Sequence, residues 1–73
     1  MYAEKIEKLE NEIQEIKKYI KADKKEIKKR EKILSMVVDN DIEVEIEIYK
    51  EELEKFTDEL KIRKQLVKNY KKL

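Results

Sequence analysis

The chain has no cysteine and no histidine. Without cysteine there is no disulfide framework, and without either residue there is no ordinary zinc site. Ser35 and Thr57 are the only aliphatic hydroxyls, so the usual nucleophile and base arrangements lack their parts. Carboxylates are plentiful, but a carboxylic acid at work in catalysis needs a cleft to raise its pKa, and a short helical chain builds none. The expectation is a protein that is not an enzyme and carries no cofactor. Asp39, Asp41 and Glu43 alternate in a way that faintly suggests a calcium loop. The glycine of the sharp turn and the distal bidentate glutamate are missing, and helix capping explains these residues better.

Glycine, proline and tryptophan are also absent. A backbone without its strongest breakers, biased toward Lys, Glu, Ile and Leu, favours long helices or a coiled coil. No apolar run approaches the length of a membrane span, and the opening "MYAEKIEKLE" lacks the basic and then apolar order of a signal peptide. A cytoplasmic location is the expectation.

What is present is abundant charge around an ordered set of apolar residues. Charged residues make up 51% and hydrophobic residues 40% of the 73 positions, and the regular apolar spacing gives the chain a face to bury, which argues against disorder. Residues 1–73 make one small domain. A domain of this size buries too little surface to be comfortably stable alone, so a second chain is expected to help.

Tyr2, Ile6, Leu9, Ile13, Ile16, Ile20, Ile27 and Leu34 recur at alternating steps of three and four, with Asp23 and Arg30 at two positions of the same stripe. This is a heptad seam. A second seam runs through Ile42, Ile46, Tyr49, Leu53, Phe56, Leu60, Val67 and Tyr70, interrupted by Arg63, in a register displaced against the first. The displacement falls at "DND", where Asp and Asn compete with the helical backbone, and Asn40 with Glu43 resembles a capping box. The sequence therefore predicts an all-α antiparallel two-helix hairpin, coiled-coil-like, pairing with a second copy into a four-helix bundle. Arm one spans about 3–37, the turn about 38–41 and arm two about 41–72.

Charge favours that pairing. The net charge runs −3 over residues 1–16, +6 over 17–32, −8 over 37–60 and +6 over 61–73. An antiparallel fold sets opposite signs side by side, whereas parallel pairing of identical arms sets like signs together. One alternative competes. From Ile42 to Ile48 apolar residues and glutamates alternate strictly, the period of a half-buried strand. Pairing with Ile33 to Val38 would make residues 33–49 a β-hairpin between two helices. Glutamate is a poor strand former and an isolated hairpin is marginal, which favours the helical reading.

Two surfaces stand out as candidates for binding. With Ile42, Ile46 and Tyr49 turned to the first arm, Val44, Ile48, Ile62, Leu66 and Leu73 form a separate apolar stripe. Met36 and Val37 add apolar groups near the turn. On the first arm Lys17, Lys18, Lys21, Lys24, Lys25, Lys28, Lys29 and Lys32 fall within an arc of about 140°. Such a stripe either recognises an acidic macromolecule or is a solvated face partly neutralised by the acidic second arm. Asp23 and Arg30 either fix register from within the seam or reach solvent at its edge. The functional expectation is a non-enzymatic protein–protein interaction module, an adaptor, assembly factor or small inhibitor acting as a hairpin oligomer on a protein partner, with an acidic protein as one candidate. A hairpin dimer gripping nucleic acid through the lysines is the alternative. It is set second because no aromatic residue interleaves the stripe for stacking.

Overall fold

A computed structural model describes residues 2–73. It contains two helices, α1 (Ala3–Leu34) and α2 (Asn40–Lys72), packed against each other along their length. The molecule is a rod of 55 × 14 × 13 Å. Residues 42–49 are helical, which removes the β-hairpin alternative. Their strict alternation loses to two stronger signals: glutamate favours helix over strand, and the stretch continues without a breaker into the rest of α2.

The reversal is made without glycine. At the end of α1 the backbone N–H of Ser35 donates to the Glu31 carbonyl, those of Met36 and Val37 donate to Ile33, and the Ser35 hydroxyl donates to the Lys32 carbonyl at 2.6 Å. The last turn thus tightens and satisfies its own acceptors. Asp39 is extended, with φ −146° and ψ 109°, and its Oδ1 accepts from the backbone N–H groups of Asp41 at 2.9 Å and Ile42 at 3.3 Å. The cap of α2 is therefore Asp39, not the Asn40 expected from the sequence, because the extended residue is the one whose carboxylate can reach back over the first turn. No described residue takes a positive φ. The connection comprises residues 35–39, so the reversal begins before the expected 38–41.

Ile13, Ile16 and Ile27 of α1 and Ile46 and Val67 of α2 form the buried core. Contacts of Arg30 with Glu45, Tyr19 with Phe56 and Arg63 with Glu12 descend one arm and ascend the other by equal steps. A single antiparallel register thus holds from end to end. Two seams that do not continue one another along the chain meet in space because the chain turns back. Burying one large aliphatic side chain contributes about 1.5–3 kcal/mol, against about 0–1 kcal/mol for an exposed ion pair. The apolar seam therefore holds the arms together, and the charges choose how they align.

Candidate interaction surfaces

The hairpin covers only one side of α2. Val44, Ile48, Ile62 and Leu66 are exposed, as is Leu73 at the helix end. At 3.6 residues per turn they fall within an arc of about 40°. Near the connection Met36, Val37 and Val38 are exposed as well. Val38 was not singled out by its sequence, since it lies within the expected turn, yet at 94% exposure it is the most open of the large apolar side chains among the described residues. The signal that could have found it is two consecutive β-branched residues beside the polar "DND". Shallow grooves follow the rod, one lined by Ile48, Glu51, Glu52 and Lys55 and another by Leu9, Leu66 and Tyr70 with Lys5, Lys8 and Glu12.

Lys17, Lys18, Lys21, Lys24, Lys25, Lys28, Lys29 and Lys32 are all exposed along α1. Among the described residues none of them forms an ion pair. The pairs between the arms are made by other cations: Arg30 to Glu45 at 2.9 Å, Arg63 to Glu12 at 3.2 Å and Lys71 to Glu10 at 3.7 Å. Geometry explains the division. Arg30 and Arg63 occupy seam positions and reach across, whereas the lysine stripe points away from α2 by the helical angle.

The two polar residues that α1 places in the seam differ. Arg30 sits at the edge, paired with Glu26 and Glu45 and lying 4.6 Å over the Tyr49 ring. These carboxylates raise its already high pKa, and its hydrogen bond holds the Glu26 carboxyl below the ordinary glutamate range. Asp23 is different. It is 6% exposed, and its Oδ2 is buried with no hydrogen-bond partner among the described residues. Burial first, and the adjacent Glu52 carboxylate second, push its carboxyl above the ordinary aspartate range. Asp39, one of the three acids with a faint calcium-loop spacing, uses its carboxylate as the cap of α2.

No described helix is long and apolar enough to cross a membrane. Comparison with protein-family models, curated proteins and solved structures finds no match to this chain.

Proposed function

We propose that the chain is a non-enzymatic protein–protein interaction module that works as a self-associated helical hairpin. The exposed apolar arc on α2 carries this reading. An exposed apolar patch on a small protein marks a contact site, and here two of them, Val44 with Ile48 and Ile62 with Leu66, lie on the same side of α2. The interior supports the same view, since no described side chain is less than 2% exposed. One seam between two helices leaves even its core side chains slightly exposed, and a second hairpin laid on the open face adds a further layer. The lysine stripe stays outside the seam, free to draw in an acidic protein partner by long-range attraction.

Replacing Ile48 and Leu66 together by Glu tests the reading. Both side chains are exposed in the single hairpin, so its helicity is expected to persist. Self-association, read as mass against concentration by light scattering, is expected to weaken at least about tenfold through lost apolar burial and newly buried charge. Association unchanged by the double substitution would refute the role of this face. A second reading, nucleic-acid binding, is favoured by one observation: the lysines lie exposed and without ion-pair partners among the described residues, as phosphate-binding groups would.

A further inference from the structure

The exposed stripe on α2 has an internal symmetry. Val44, Ile48, Lys55, Ile62 and Leu66 are spaced by four, seven, seven and four residues, so the order of spacings reads the same from either end, with Lys55 at the centre. A helix with such a stripe is complementary to its own copy run in the opposite direction. Val44 then meets Leu66 of the other copy, and Ile48 meets its Ile62.

Charge selects the same arrangement. Residues 40–54 carry a net charge of −6 and residues 56–73 a net charge of +4. Antiparallel pairing of two α2 helices lays the acidic half of each against the basic half of the other, while parallel pairing lays acid on acid and base on base. The centre is also satisfied. Lys55 is flanked one turn away on either side by Glu51 and Glu59, all exposed in the hairpin, so the two ammonium groups that meet at the axis sit among carboxylates from both copies.

We propose that the outer face of α2 is covered by α2 of a second copy, antiparallel, with the twofold axis at Lys55. This rests on the self-association proposed above and specifies its geometry. The contact is isologous, as closed dimers require, and from Val44 to Leu66 it runs about 33 Å by the helical rise. It leaves the lysine stripe of both α1 helices outside the contact between the α2 helices.

Spin labels read the orientation directly, because a chain without cysteine accepts a single label at a chosen site. The sites are Glu43→Cys and Lys68→Cys, both exposed and off the apolar arc, introduced separately into the full chain. In the antiparallel dimer, labels at position 43 alone give an intermolecular distance of about 35–40 Å, and an equal mixture of the two labelled variants adds a distance of about 20 Å. A short distance from position 43 alone, or no short distance in the mixture, overturns the proposed geometry while leaving self-association standing. The absence of any intermolecular distance at micromolar protein overturns both.

Discussion

Asp23 is the residue at which the sequence pattern and the packing conflict. It holds a seam position in a run of isoleucines, and its carboxylate is buried beside Glu52 with one oxygen unpartnered among the described residues. Burial beside a second carboxylate penalises the charged form of Asp23, so Asp23→Asn, which removes the charge and offers Glu52 a donor, is expected to stabilise the protein at neutral pH by about 1 kcal/mol. The pH dependence follows from the raised pKa of the folded state. Below the ordinary aspartate range the carboxyl is protonated, folded or unfolded, and its contribution to stability is fully present. That contribution is lost as pH rises through the folded value. The advantage of Asp23→Asn should accordingly shrink as pH is lowered from neutral toward 4, in denaturant titrations at fixed protein concentration. An advantage that grows on acidification, or no difference at any pH, would contradict this account of the site. Glu26 works in the opposite sense. Its hydrogen bond with Arg30 lowers its pKa, so its contribution is present above the ordinary glutamate range and falls away in acid, and comparison of the variant with the parent protein cancels it.

At the scale of the helices, α1 presents two different faces, a seam of isoleucines turned to α2 and a lysine stripe turned to solvent. Replacing Lys21, Lys25 and Lys28 by Gln is expected to leave stability within about 0.5 kcal/mol, since these residues lie exposed and away from the packing. The parent chain is expected to show no submicromolar binding to mixed nucleic acid at physiological salt. Submicromolar binding there, abolished by the triple substitution and steep in salt, would promote the nucleic-acid reading to first place. Much of this division was legible in the sequence, because the helical period alone separates Ile16, Ile20 and Ile27 from the lysines between them. The cap was less legible. "DND" offers three residues able to cap, and the backbone conformation that selects Asp39 is set by how the chain runs on from the end of α1 at Leu34. The behaviour of Asp23 was not legible either, since depth within a seam depends on which residues of the opposite arm close over it, and only the folded register brings Glu52 alongside.

The whole molecule is a 55 Å rod with one closed seam and one open apolar face, and its formal net charge of +1 hides strong segments of both signs. Those segments first align α1 with α2 and then, by the proposed symmetry about Lys55, align α2 with a copy of itself. Individually exposed pairs contribute little; as a pattern they penalise every other alignment. In the proposed dimer the hairpin is half of a structure, and the second copy completes the layer that one pair of helices leaves open. Sedimentation equilibrium of the unmodified chain through the micromolar range tests this most directly. A self-associating hairpin gives an apparent mass that rises with concentration from that of the 9.0 kDa chain to twice that value. A compact species that stays at 9.0 kDa across the whole range, with its helicity intact, would contradict it.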